Sequence, residues 1–163
     1  MIETDRLTKR YGHLLAVDEL SFTVSQGEVL GFLGPNGAGK STTMKMLSGF
    51  LSPTSGSARI CGFDVESQPV EAKRQIGYLP EGAPSYGEMT ARSFLDFVAD
   101  IRELRGSNKA KRLEEVIDRL HLEPVLDQPI DNLSKGYRRR VGLAQAIVHD
   151  PRVLILDEPT DGL

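Results

Sequence analysis

The octapeptide GPNGAGKS, from Gly34 to Ser41, constrains the fold of this chain more than any other feature. It fits the pattern G-x-x-x-x-G-K-S/T, follows a short apolar run from Val29 to Leu33, and precedes a helical pattern that begins near Lys40. A short, continuous apolar run predicts a strand buried on both faces of a parallel sheet. Strand, glycine-rich turn and helix in this order predict an α/β fold with a phosphate-binding loop. The alternative is a glycine-rich turn before an ordinary helix.

The residue types of this loop suit a nucleoside triphosphate. Glycine backbone N–H groups can approach phosphate oxygens because no Cβ stands in the way. The positive end of the helix dipole and the Lys40 ammonium add charge for the phosphates, and the Ser41 hydroxyl is a ligand for Mg²⁺. The predicted nucleotide-binding residues of the loop are Gly34, Pro35, Asn36, Gly37, Ala38, Gly39, Lys40, Ser41 and Thr42.

Composition narrows the class of partner. The chain has 163 residues, 39% of them hydrophobic, which suits one domain with a real core. Its net charge of −3 and its pI near 5.6 argue against a general nucleic-acid binder. The single cysteine, Cys61, excludes an internal disulfide framework and is interpreted as a small apolar filler. Since no apolar run approaches the ~20 residues of a membrane-spanning helix, any membrane role requires a partner.

Local patterns predict the elements around the loop. Alternating apolar residues up to Glu28 predict antiparallel strands, and SARICGFDV, from Ser57 to Val65, predicts one further strand before a short polar helix. From Thr90, an expected N-cap, apolar residues recur at helical spacing as far as Leu104, and Gly106 is expected to end that helix. The same spacing returns from Leu113 to Leu120, and again from Ser134, the expected cap of a third helix.

A second candidate site lies near the end of the chain. The apolar residues Val153 to Leu156 are followed by Asp157 and Glu158, which places two carboxylates at the carboxyl end of a buried strand. This is the Walker B arrangement, in which Asp157 holds Mg²⁺ and Glu158 polarises the attacking water. A solvated acidic turn before Pro159 is the alternative, and the phosphate-binding loop upstream favours the Walker B interpretation.

Between these two motifs lies Leu133-Ser134-Lys135-Gly136-Tyr137, and here the chain resembles the ATP-binding subunit of an ABC transporter. The longer string LSKGYRRRVGLAQAI is similar to ABC-2-type exporter ATPases, including gliding-motility and multidrug or antibiotic export relatives. The resemblance implies that Ser134 and Gly136 contact ATP held by a second subunit. Lys135 and Tyr137 depart from the family's L-S-G-G-Q. Lys135 either adds charge near phosphate or faces solvent, and Arg138, Arg139 and Arg140 are interpreted as a solvated helix face.

The resemblance assigns two smaller sites. Tyr11 matches the aromatic residue that stacks on adenine, whereas the residues alone predict an exposed turn residue. The segment from Ile76 to Glu81 (IGYLPE) matches the loop that links the nucleotide site to the helical subdomain, with Glu81 where many relatives carry glutamine. The Glu81 carboxylate either supplies an oxygen to Mg²⁺ or places unfavourable negative charge beside the phosphates.

The resemblance also implies an architecture. It predicts a P-loop NTPase core sheet of the ABC-ATPase type, with an N-terminal antiparallel β-subdomain and an α-helical subdomain. Residues 1–80 would form the P-loop core and β-subdomain, residues 81–150 the α-helical subdomain, and residues 151–163 the Walker B strand and the start of the D-loop. The remaining C-terminal part of the domain is expected to be missing, so this chain should hydrolyse ATP weakly or not at all alone.

The implied function is that of an ATP hydrolase that powers export through a separate membrane permease. Two copies would sandwich two ATP molecules with Mg²⁺, in the cytoplasm at the inner face of the cell membrane, with Lys40 and Glu158 as the catalytic residues and no nucleic acid bound. One alternative is a soluble ABC-type ATPase that acts on nucleic acid or the ribosome. Another is a P-loop kinase or GTPase, which leaves LSKGY without an explanation.

Overall fold

Long antiparallel strands open the chain. In the computed structural model, which describes residues 1–82 and 86–157, strand β1 (Ile2–Tyr11) pairs with β2 (Leu14–Val24) in a hairpin. Strand β3 (Ser55–Ile60) pairs with the other edge of β1, and the short strand β4 (Phe63–Asp64) completes a four-stranded sheet in the order β2-β1-β3-β4. The antiparallel strands predicted for this region are therefore confirmed.

The segment SARICGFDV was predicted to form one strand, but it forms a hairpin. Strand β3 ends at Ile60, and the short strand β4 (Phe63–Asp64) folds back on it. The two linking residues, Cys61 and Gly62, have φ values of 52° and 88°, as a primed hairpin turn requires. Because Cys61 lies in this turn and is only partly buried, its interpretation as an apolar filler is wrong.

The helix predicted after the glycine-rich loop is present. Helix α1 (Lys40–Leu47) buries Met46 and Leu47 and contacts β2 and β3. It ends before Gly49, whose φ of 68° is left-handed. A short polar helix, α2 (Pro69–Arg74), follows β4 as expected.

The strand predicted from Val29 to Leu33 is absent. This segment is irregular, and Val29 and Leu33 are 94% and 97% exposed. The Phe32 ring does contact the β2 residue Phe22, with ring centroids 5.4 Å apart. A strand needs a neighbouring backbone for its hydrogen bonds, and no described strand pairs with these residues. The sequence pattern shows that this segment is apolar, but it does not indicate whether another strand lies beside it to form hydrogen bonds.

Helices dominate the remainder of the described chain. Contacts divide the molecule into two compact units, Met1–Ile76 and a second that begins at Gly77. The second unit contains α3 (Ala91–Ile101), α4 (Gly106–Leu120) and α5 (Lys135–Ile147), which share one hydrophobic core. Short 3-10 turns at Glu123–Val125 and Ile130–Asn132 connect α4 to α5. The division into residues 1–80, 81–150 and 151–163 stays a prediction.

Helix α3 begins and ends through local signals. The Thr90 hydroxyl accepts a hydrogen bond from the Ser93 N–H at 3.2 Å, so the predicted N-cap is confirmed. The helix ends at Ile101 because Glu103 turns left-handed (φ 61°) and the Leu104 N–H donates to the Ala99 carbonyl. Gly106 was predicted to end this helix, but it is instead the first residue of α4.

A two-stranded sheet carries the second candidate site. Strands β5 (Ile76–Leu79) and β6 (Val153–Leu156) are neighbours, and Val153 and Ile155 are buried. Leu154, between them, is 44% exposed. The described residues therefore cover only one face of this strand, which was predicted to be buried. A Cβ on Gly77 would lie 2.2 Å from the Ala146 carbonyl oxygen, which shows that α5 packs directly on β5.

Candidate functional site

The glycine-rich loop is built against strand β2. Gly39 is the N-cap of α1 with a φ of 83°, and a Cβ there would lie 2.3 Å from the Ala16 carbonyl oxygen. Gly37 has nearly the same φ, 84°, but no atom within 4 Å of its ideal Cβ position. Gly39 is therefore required by both conformation and space, and Gly37 by conformation alone.

The Lys40 side chain folds back over this loop. Its ammonium donates hydrogen bonds to the carbonyl oxygens of Gly34 and Pro35, at 2.7 and 2.8 Å. The lysine charge therefore lies within the curve of the loop, and its role in phosphate binding stays a prediction. A bound phosphate would exchange these neutral acceptors for a charged one, and charge-assisted hydrogen bonds are about twice as strong.

The other predicted loop residues lie around the start of α1. Ser41 and Thr42 occupy its first turn and are partly buried, and the Ala38 N–H donates to the Pro35 carbonyl at 3.2 Å across the exposed turn that includes Asn36. Thr43, which sequence reasoning did not select, is 2% exposed, and its hydroxyl donates to the Gly39 carbonyl at 2.9 Å. This bond ties the loop to the helix that follows it.

Tyr11 lies at the end of β1 and is 47% exposed, which agrees with an exposed aromatic residue. The Lys9 ammonium lies over its ring, 5.4 Å from the centroid, and also donates to the Ser52 carbonyl at 2.6 Å. A cation on one face leaves the other face of the ring for stacking. The stacking role of Tyr11 itself stays a prediction.

Helix α5 begins at the LSKGY segment. The Ser134 hydroxyl accepts a hydrogen bond from the Tyr137 N–H at 3.3 Å, so the predicted cap is confirmed, and Lys135 beside it is exposed. Gly136 lies in the first turn, where backbone N–H groups and the helix dipole favour an anion. Tyr137 packs against the hydrophobic core, and the Arg140 guanidinium lies 5.3 Å from its ring centroid.

Asp157 follows β6, and the residue is 5% exposed. Its N–H donates to the Leu79 carbonyl of β5 at 2.9 Å, which fixes it at the end of the two-stranded sheet. Burial raises the pKa of the nearby Tyr78 hydroxyl, and the negative charge of Asp157 raises it further. Glu158, the predicted catalytic partner, lies outside the described residues.

The prediction that Arg139 lies on a solvated helix face is wrong. It is 7% exposed; its guanidinium donates to the Pro80 carbonyl at 2.9 Å and to the Asp157 carbonyl. Sequence reasoning missed it because three consecutive arginines are typical of a helix surface, and because Arg139 lies off the apolar stripe of α5. Only the partners, which are distant in sequence, reveal its contacts.

Glu81, the second candidate metal carboxylate, directly follows Pro80 and is exposed. The structure therefore gathers the loop residues in the first unit, and Ser134, Gly136, Asp157 and Glu81 in the second. Convergence of these two groups on one ligand stays a prediction. Among residues 1–82 and 86–157, no group of three acidic, histidine or cysteine side chains could hold a metal by itself.

Comparison with known proteins decides the family. The sequence profile described as "ABC transporter" matches residues 17–161. The chain belongs to the ABC transporter family. Its similarity to a solved ATP-binding subunit of an ABC transporter extends over the whole chain and 68% of that structure, with a TM-score of 0.92 and 31% identity. A dimeric bacterial ABC transporter cassette matches at a TM-score of 0.90 and 25% identity. The predicted fold class is therefore confirmed.

Curated relatives of this ABC family chain are named as transport proteins. It is 38% identical to the probable multidrug ABC transporter ATP-binding protein YbhF of Escherichia coli, and 41% identical to the bacitracin transport ATP-binding protein BcrA of Bacillus licheniformis. Both matches cover the whole chain, but only 28% and 52% of the two relatives. Within residues 1–82 and 86–157, every helix is too short or too polar to cross a membrane.

Proposed function

We propose that this chain is the nucleotide-binding part of a subunit that binds and hydrolyses ATP to power export through a separate membrane permease. The observation that carries the proposal is the conformation of the glycine-rich loop, in which Gly39 lies against β2 and the Lys40 ammonium lies within the loop. The names of these two relatives, a multidrug ABC transporter protein and a bacitracin transport protein, support the transport role. The subunit would reside in the cytoplasm, at the membrane face where its permease lies.

Each residue of the site has a distinct task in this proposal. Backbone N–H groups from Gly37 to Ser41 and the Lys40 ammonium would bind the β and γ phosphates, because the loop curves around that charge. The Tyr11 ring would stack on adenine, which positions the base without strong selectivity. Glu158 would orient and polarise the water that attacks the γ-phosphate.

Magnesium would be the metal of this site. The Ser41 hydroxyl and the carboxylate of the buried residue Asp157 would supply hard oxygen ligands, and Glu81 is a further candidate. Mg²⁺ usually keeps several waters and binds through one or two carboxylates and substrate phosphates, so a dedicated protein cage is not required. When bound, Mg²⁺ would neutralise charge on the phosphates.

The start of α5 would contact a second molecule of ATP. Ser134 is exposed at the helix N-terminus, and Gly136 leaves the first-turn N–H groups open to an anion. A second copy of the subunit would hold that ATP in its own phosphate-binding loop. This arrangement makes ATP the ligand that joins two subunits, and its hydrolysis would separate them.

A lysine substitution tests the ATP proposal. Titration of the intact polypeptide that carries this sequence with a fluorescent ATP analogue and Mg²⁺ should saturate, and Lys40→Met should weaken binding at least about tenfold, as expected for loss of a charge-assisted contact. Lys45→Met is the matched control, because Lys45 is an exposed lysine in the last turn of the same helix. Absence of saturable binding by the parent protein would overturn the proposal.

Two further measurements separate the alternatives. Competition by GTP much stronger than by ATP would contradict ATP as the ligand and favour another P-loop NTPase. Co-purification with an integral membrane permease supports export, whereas salt-sensitive retention on nucleic acid supports a soluble ATPase that acts there.

A further inference from the structure

Arg139 connects the two chain segments that carry the candidate metal carboxylates. It lies in the second turn of α5, and its two terminal nitrogens donate to the carbonyl oxygens of Pro80 and Asp157. The Pro80 carbonyl belongs to the peptide bond that leads into Glu81, and the Asp157 carbonyl belongs to the candidate ligand itself. One guanidinium therefore contacts the backbone at both candidate metal-binding segments, next to Glu81 and at Asp157.

The energetics of burial argue against a purely stabilising role. Arg139 is the only buried basic side chain among residues 1–82 and 86–157. Removing such a cation from water is unfavourable, and apolar residues of similar volume often give equal or better stability at buried ionic positions. The residue at this position is instead an arginine, whose rigid, planar guanidinium can donate hydrogen bonds to two carbonyl oxygens at once.

The contact also restricts Asp157. Its N–H donates to the Leu79 carbonyl at 2.9 Å, and its carbonyl accepts from Arg139, so both peptide groups that flank its Cα have partners. With the backbone held on both sides, the carboxylate can move only through its own side-chain torsions, which occupy a few rotamers. Arg139 thereby influences where the carboxylate stands without touching a ligand.

We propose that Arg139 is a positioning residue for metal binding, and that its guanidinium holds the Asp157 and Pro80 carbonyls so that the carboxylates of Asp157 and Glu81 meet Mg²⁺·ATP in register. The inference rests on the proposed function and extends it to a residue that the loop and strand motifs do not contain. Loss of an outer partner of a metal ligand typically weakens metal affinity about 10–100-fold. Lysine presents all its donors from one nitrogen, so it cannot reproduce the planar spacing of the two terminal guanidinium nitrogens.

The test compares Arg139→Met and Arg139→Lys with Arg138→Met in the intact polypeptide. Arg138 is the neighbouring exposed arginine of the same helix, so its substitution removes equal charge without removing these bonds. Binding of a fluorescent ATP analogue is measured across a Mg²⁺ titration and again with the metal chelated, alongside urea unfolding. Amide exchange of residues 153–157 is followed without nucleotide or metal.

Arg139→Met should raise the half-saturating Mg²⁺ concentration about tenfold or more and leave nucleotide affinity without metal unchanged. Arg139→Lys should shift it less, exchange of residues 153–157 should accelerate in both variants, and Arg138→Met should match the parent. A loss of stability with an unchanged Mg²⁺ requirement would overturn the inference. If Arg139→Met does not fold, Arg139→Lys decides on the same criterion. Failure of the parent to bind Mg²⁺·ATP would instead refute the proposed function.

Discussion

Replacing Gly39 with alanine should destabilise the protein through two separable effects. The first is conformational, because a residue with a Cβ pays about 1–2 kcal/mol in the left-handed region that Gly39 occupies at φ 83°. The second is steric, because the new Cβ would lie 2.3 Å from the Ala16 carbonyl oxygen. Real contacts of a Cβ are at least 3.0 Å, so the loop and β2 must separate by roughly 0.7 Å. Such overpacking costs about 1–3 kcal/mol.

Gly37→Ala isolates the first effect. Gly37 has a φ of 84°, but its ideal Cβ position has no atom within 4 Å. We therefore expect Gly37→Ala to lower the free energy of unfolding by about 1–2 kcal/mol, and Gly39→Ala by about 2–5 kcal/mol. Urea unfolding of the intact polypeptide, monitored by circular dichroism, gives both values. Equal losses in the two variants would refute the conclusion that the loop is built against β2.

Substitutions at three further positions test other contacts. Gly77→Ala should cost about 1–3 kcal/mol of stability, because its Cβ would meet the Ala146 carbonyl at 2.2 Å; an unchanged urea midpoint would contradict the packing of α5 on β5. Ser134→Ala should cost about 1 kcal/mol through the lost cap and Ser134→Gly only a few tenths. If both variants nevertheless weaken ATP-dependent dimer formation equally, measured by light scattering, the hydroxyl contacts the ligand; unaffected dimerisation argues against that role. The pKa of Asp64 lies below its ordinary value of 3.8 despite partial burial, because its carboxylate accepts hydrogen bonds, first from the Ser67 N–H and then from the Ser67 hydroxyl and the Glu66 N–H. The ionised carboxylate therefore stabilises the fold above pH 3.8. This contribution is lost as the pH falls through the lowered pKa. Asp64→Asn should therefore cost about 1 kcal/mol near neutral pH and nothing in strong acid, and a pH-independent difference in urea unfolding would contradict this.

Much of the candidate site could be predicted because its signals are local. The caps of Thr90 and Ser134 depend on a side chain and an N–H three residues later, and both bonds are present. The glycine-rich loop likewise depends on consecutive residues: Gly37 and Gly39 adopt left-handed conformations, and the helix begins at Lys40 as expected. Such features need no distant partner, so the residue types are sufficient evidence for them.

Features that depend on distant atoms could not be read in this way. Val29 to Leu33 has the composition of a buried strand, yet strand formation requires a backbone neighbour that composition does not encode. Arg139 belongs to a run of arginines, and only folding brings the carbonyls of Pro80 and Asp157 to its guanidinium. Hydrogen bonds and close packing act over a few ångströms in space, whatever the separation along the chain. Local chemistry therefore sufficed for the loop and the helix caps, whereas the burial of Arg139 and the exposure of Val29 and Leu33 came from the arrangement of segments far apart in the sequence.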